Sequence, residues 1–126
     1  MATAQPRYDY EKKSRQTLEV MSRFGYPNRW ILRLLYRAMS ELSSNNLLPQ
    51  SGSMLDYGCG ERPYLELFLG RFNPIVGADF PGNESADCIV GPQGELSSIK
   101  DETFDVVLST QVLEHVVDPR IYLSEA

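Results

Sequence analysis

Two carboxylates and two glycines carry the chemistry that this sequence offers. Asp56 follows the apolar pair Met54-Leu55 and runs directly into Tyr57-Gly58-Cys59-Gly60, and Asp79 closes a second apolar run, Ile75-Val76-Gly77-Ala78. Glycines at alternate positions let a backbone turn sharply and approach a ligand where a side chain would collide. A carboxylate ending the next strand, about twenty residues on, suits hydrogen bonding to ribose hydroxyls. Together they describe a nucleotide-cofactor site at the carboxyl ends of parallel strands.

The type of cofactor turns on Asp56. A dinucleotide fingerprint asks for a third glycine three positions beyond the second, and Pro63 stands there instead. A pyrophosphate would be repelled by a carboxylate in the glycine loop, whereas an ammonium group would be attracted to it. The methionine half of S-adenosylmethionine carries both an ammonium and a sulfonium, so this cofactor fits the charge pattern. A nicotinamide or flavin oxidoreductase is the rival enzyme class, opposed by Asp56 and Pro63.

These residues need a sheet to hold them. Strands are predicted over residues 53–57, 74–79, 87–90 and 104–109, the last a continuous apolar run of the kind buried on both faces. Pro63 suits the first turn of a helix reaching to about Arg71. A loop with a helical turn near Leu96 fills 91–102, a turn or helix 111–116, and a further helix starts at Pro119. Ahead of the first strand, helices are expected over 10–23 and 28–44. In the second, Ile31, Leu34, Leu35, Ala38, Met39 and Leu42 recur at spacings of three and four. The order β-α-β-β-loop-β-α makes the fold class α/β, with a Rossmann-like, mostly parallel sheet.

Composition sets the outer bounds. The 126 residues allow one domain, and 42% apolar with 23% charged residues is ordinary for a soluble globular chain. No apolar run approaches a membrane span, and the charged stretch 7–13 excludes a signal peptide, so a cytoplasmic location is expected. Cys59 and Cys88 are then expected as reduced thiols, and two cysteines with one histidine give no zinc signature. Residues 1–50 hold eight Lys/Arg against four Asp/Glu, while residues 51–126 hold four against thirteen. The basic half interleaves its charges with acids, as a solvated helical face does, so no nucleic-acid partner is expected.

Three segments carry a family resemblance: Leu55-Asp56-Tyr57-Gly58-Cys59-Gly60, Val76-Gly77-Ala78-Asp79, and Phe104-Asp105-Val106-Val107-Leu108-Ser109-Thr110-Gln111-Val112-Leu113-Glu114-His115-Val116. In order and spacing they resemble the class I S-adenosylmethionine-dependent methyltransferases, specifically the small-molecule type with Leu-Glu-His after strand four. The resemblance spans about residues 53–126; residues 1–52 match only as a generic helical lid. It implies that Gly58, Cys59 and Gly60 line the methionine moiety and that Asp56 orients its amino group. It implies further that Asp79 accepts the ribose hydroxyls, that Phe80 lies beside adenine, that Glu95 and Leu96 flank the base, and that Ser109 and Thr110 sit near the sulfonium. Tyr8 and Tyr10 are candidates to reach the cofactor carboxylate, with packing as their other use. One departure is Arg62, where the family has a third alternate glycine; its side chain is expected to point outward.

Some relatives of this fold carry Glu-x-x-Glu-His after strand four and bind magnesium. Here Gln111 replaces the first Glu and brings no charge, so no metal is expected. His115 is a candidate general base toward an acceptor hydroxyl; its other reading is that Glu114 and His115 orient the turn. Methyl transfer from a sulfonium is mainly a matter of alignment, so it asks for no catalytic triad.

The family's catalytic domain continues through three more strands, so the resemblance implies a form truncated after strand four. Its first 52 residues would form the lid and 53–126 a partial cofactor-binding domain. Strand four would then be an edge, inviting self-association or a partner chain that completes the sheet. The implied reaction is methyl transfer to a small-molecule or cell-envelope acceptor. A non-catalytic, cofactor-binding partner subunit is the alternative role.

Overall fold

The computed structural model describes residues 29–126; the helix expected over 10–23, with Tyr8 and Tyr10, lies outside them. Four parallel strands make the sheet: β1 (Met54–Tyr57), β2 (Ile75–Asp79), β3 (Cys88–Ile89) and β4 (Val106–Leu108), in the spatial order β3-β2-β1-β4. Register pairs Met54 with Ile75 and Val106, and Asp56 with Gly77 and Leu108. All four predicted strands are present, each shorter than its apolar run, because pairing with a neighbour ends before the apolar sequence does.

Side-chain alternation along β1 sorts the molecule into layers. Met54 packs with Tyr64, Phe68, Phe72 and Leu108 on one face, and Leu55 and Tyr57 pack with Ala78, Val90, Leu96 and Tyr122 on the other. Fully burying side chains of this size contributes roughly 1.5–3 kcal/mol each. The first face is covered by α1 (Arg29–Ser43) and α2 (Leu65–Phe68), the second by the 91–99 loop and α3 (Pro119–Glu125). Both faces of β1 are therefore dry, whereas Val106 and Val107 of β4 are only half-buried. The continuous apolar run of β4 was expected to be buried on both faces; as an edge strand it is covered less.

Helix α1 docks through Leu35, Met39 and Leu42, with Leu48 just beyond it. Ile31 and Leu34, expected on the same face, are 51% and 66% exposed, and Ala38 is exposed too. The platform beneath is narrow, because α2 has only four residues, so a single ridge of α1 reaches it. Arg71 fixes the join: its guanidinium donates to the carbonyls of Pro49 (2.7 Å), Ser43 (2.8 Å) and Leu48. Ser43 ends α1, where a cation also complements the helix dipole. Helix α3 starts where expected, with Pro119 in its first turn and Asp118 accepting from Arg120 N at 2.9 Å. Among the described residues no helix is long and apolar enough to cross a membrane.

Candidate active site

The carboxyl ends of β1 and β2 bring the predicted glycines and carboxylates together. Gly58 N and Cys59 N both donate to the Ala78 carbonyl, at 2.8 and 3.0 Å, which folds the chain leaving β1 over the end of β2. Gly60 N then donates to Asp79 Oδ2 at 2.9 Å, and Phe80 N to Asp79 Oδ1 at 2.8 Å. Three residues of this loop have positive φ: Gly58 at 76°, Gly60 at 51° and Arg62 at 58°. A side chain added at Gly60 would meet open space, whereas one at Gly58 would overlap Val112. The backbone at Gly60 is thus bare and approachable, and Gly58 is the seat of the segment that follows β4.

Asp56 is the unusual group. It is 6% exposed, and among the described residues its carboxylate receives no hydrogen bond. Burial, partly offset by the Arg62 guanidinium and reinforced by the Asp79 carboxylate, raises its pKa from 3.8 to about 6. Ionising a mostly buried carboxylate is costly, and a mobile cation is the natural relief.

Asn83, just beyond the turn that follows β2, is a site residue to which neither the strand pattern nor the glycine spacing points. Its Nδ2 donates to Asp79 Oδ2 at 2.6 Å and to the Gly60 carbonyl at 2.7 Å, so one side-chain amide ties both halves of the crevice. Nothing local in the sequence distinguishes such an asparagine from an ordinary turn residue. Cys59 is buried, and burial with the nearby Asp56 and Asp79 charges pushes its thiol up to about 12. Cys59 and Cys88 are both free thiols, and Cys59 is held as the protonated, weakly nucleophilic thiol at neutral pH.

Ser109, at the end of β4, joins a hydroxyl chain behind the loop. Tyr122 OH donates its one hydrogen to the Tyr57 carbonyl at 3.0 Å, so Ser109 Oγ, at 2.6 Å, must be the donor to Tyr122. Tyr57 and Tyr122 stack with ring centroids 4.0 Å apart, and Tyr57 OH donates to the Gly94 carbonyl. The end of β4 is thereby keyed to the end of β1. Thr110 beside it is half-buried and Phe80 is 37% exposed.

Two expected placements differ, those of Leu96 and Arg62. Leu96 is 5% exposed and belongs to the core with Leu55 and Tyr122, because its N–H is drawn to Glu125 Oε2 at 2.6 Å; it offers no surface to a base. The Glu95 carboxylate folds over Gly91 and accepts from Gln93 N at 2.8 Å, closing its own turn. Arg62, expected to point outward, is 3% exposed and turns inward beneath the loop. His115 lies on a 3₁₀ turn, Leu113–His115, with its side chain 75% exposed and 3.9 Å from Glu114. Both side chains of the pair are exposed on that turn. Among the described residues no cluster of three metal-ligating side chains occurs.

A family model described as Methyltransferase domain matches residues 23–126. The chain belongs to this family, the class I S-adenosylmethionine-dependent methyltransferases, and its parallel α/β sheet is that of a Rossmann-like methyltransferase fold. No curated protein and no solved structure matches the chain.

Proposed function

We propose that this chain binds S-adenosylmethionine in the crevice between the glycine loop, Asp79 and the end of β4. The observation that carries the reading is Asp56, near the carboxyl end of β1, whose side chain is buried and, among the described residues, accepts no hydrogen bond. It would take the cofactor's ammonium, Gly58, Cys59 and Gly60 would border the methionine chain, and Asp79 would accept from the ribose. Asp79 already accepts from Gly60 N, Phe80 N and Asn83; a carboxylate has about four lone-pair sites, so capacity remains. Phe80 would lie beside the adenine and Ser109 and Thr110 near the sulfonium. The bound cofactor supplies a methyl group activated by a positively charged sulfur. The chain's own residues bind it, orient it and exclude water, which is the larger part of catalysis for a transfer limited by alignment.

The acceptor we favour is a small molecule or a cell-envelope component, with residues 1–52 acting as a lid and the cytoplasm as the place of action. The open edge of β4 is the surface for self-association or for a partner chain. Among the named residues, three carboxylates (Asp56, Asp79, Asp87) face one guanidinium, Arg62, and that excess of negative charge suits an ammonium and a sulfonium better than a pyrophosphate. The test is calorimetric titration with S-adenosylhomocysteine, with NADH in parallel and Asp79→Ala as control. Saturable binding of the adenosyl ligand alone, weakened in the variant, is expected. Selective binding of NADH, or no adenosyl binding by a folded chain, would overturn the reading.

A further inference from the structure

The cofactor reading leaves Arg62 without a part, although its side chain is 4% exposed and lies inside the loop that would hold the methionine end. Its guanidinium donates from Nη1 to Asp87 Oδ2 at 3.0 Å and from Nη2 to the Ile75 carbonyl at 2.8 Å. Asp87 Oδ2 accepts a further bond from Gly77 N at 2.8 Å, and Asp87 N donates to the Gly77 carbonyl at 2.8 Å. A Cβ on Gly77 would stand 3.2 Å from both Cζ and Nε of Arg62, so the guanidinium packs over the strand where a side chain would otherwise be. Arg62 and Gly77 therefore form a matched pair: the loop carries the bulk and the strand carries the glycine.

Gly77 is also the register partner of Asp56 on β1. Partners across parallel strands project to the same face, so Asp56 points toward the side on which the guanidinium lies. We propose that Arg62 is a positioning residue for the cofactor's amino-acid end: fastened to Asp87 and Ile75, it holds the glycine loop in its left-handed turn and stands as the fixed counter-charge behind Asp56. Because its Nη1 and Nη2 hydrogen bonds go to Asp87 and Ile75, it keeps Asp56 ionised without closing it off, and the carboxylate stays open to a mobile ammonium.

Among the described residues, two charged groups act on Asp56. Asp79, at the end of β2, opposes its ionisation, and Arg62 favours it. Cys59 in the loop, Tyr64 ahead of α2 and Tyr122 of α3 all feel its charge and are neutral near pH 7, each held in that form chiefly by burial. Asp87 is already engaged by Arg62. Among the described residues Arg62 is thus the favourable charge, and removing it should move the Asp56 titration upward from about 6.

This inference rests on the proposed cofactor, so the experiment separates the two. Carboxyl carbon NMR follows the Asp56 titration in the chain without ligand, for wild type, Arg62→Met and Arg62→Lys. Calorimetry then compares S-adenosylhomocysteine with 5′-methylthioadenosine, which lacks the amino-acid end, across pH 5–8. Wild type should lose S-adenosylhomocysteine affinity by about tenfold per pH unit below the Asp56 midpoint. Arg62→Met should raise that midpoint by a unit or more in both measurements and weaken S-adenosylhomocysteine at least about tenfold at pH 7. Its effect on methylthioadenosine should stay within about twofold, and Arg62→Lys, which keeps the charge without the fork, should fall between. Equal losses of both ligands, or an unmoved Asp56 titration in a folded variant, would overturn the inference. Should Arg62→Met lack a cooperative melt, Arg62→Gly restores a relaxed turn, and wild-type behaviour in it would overturn the inference equally. If wild type binds neither ligand, the cofactor reading fails, and the titration alone still decides whether Arg62 sets the charge of Asp56.

Discussion

Replacing Asp56 by asparagine should make the ligand-free protein more stable while disabling its binding. The carboxyl titrates near 3.8 when unfolded and near 6 when folded, a difference of about two units, or roughly 3 kcal/mol between its protonation states. The sign follows from proton counting. Between those values the folded chain holds a proton that the unfolded chain has released, so this group's contribution to stability falls as pH rises from about 4 to 6 and is flat above. Asparagine removes that slope. At pH 7 the variant should gain about 1–3 kcal/mol, the lower figure allowing for an amide as poorly partnered as the acid it replaces. At pH 4 the gain should vanish. Urea unfolding at pH 4, 5, 6 and 7 reads this directly, and the melting point at pH 7 should rise by roughly 4 °C per kcal/mol for a domain of this size. In the same preparation S-adenosylhomocysteine should bind at least about tenfold more weakly, since a charged hydrogen bond contributes roughly 1.5–3 kcal/mol. A variant equally stable or less stable than wild type at every pH would refute the description of Asp56 as a carboxylate that burial holds well above its usual range.

Four further outcomes are expected. Asp79→Ala should weaken S-adenosylhomocysteine at least about tenfold by calorimetry, because it removes the acceptor that ties Gly60 to Asn83 and that the proposed complex offers to the ribose. Gly77→Ala places a methyl 3.0 Å from Cys59 Sγ and 3.2 Å from Arg62 Cζ, and should cost about 1–3 kcal/mol in urea unfolding. His115→Ala, at a side chain 75% exposed, should change stability by less than about 0.5 kcal/mol and leave cofactor binding within twofold. Cys59 should resist iodoacetamide at pH 8 in the folded chain and react once urea unfolds it, because its thiol titrates near 12 when folded.

The sequence by itself determined the frame. Apolar runs ending in Asp56 and Asp79, with glycines between them, name strands, a sharp turn and a crevice, because these depend on period and backbone freedom that neighbours in the chain dictate. Family membership was legible for the same reason, in three local segments. What only the tertiary structure decided are the relations between segments. Leu34 and Leu35 are alike in sequence, and one packs while the other is exposed, because the four-residue α2 offers a narrow platform. Leu96 became core once Glu125 took its N–H. Asn83, a plain turn residue, became the tie between Gly60 and Asp79. Arg62 is the sharpest case. Whether an arginine at a left-handed turn points to solvent or inward depends on Gly77 leaving room across the strand and on Asp87 meeting its charge. A buried charge is tolerated only where a distant part of the chain supplies both space and partner, and local sequence cannot reveal where that part will be.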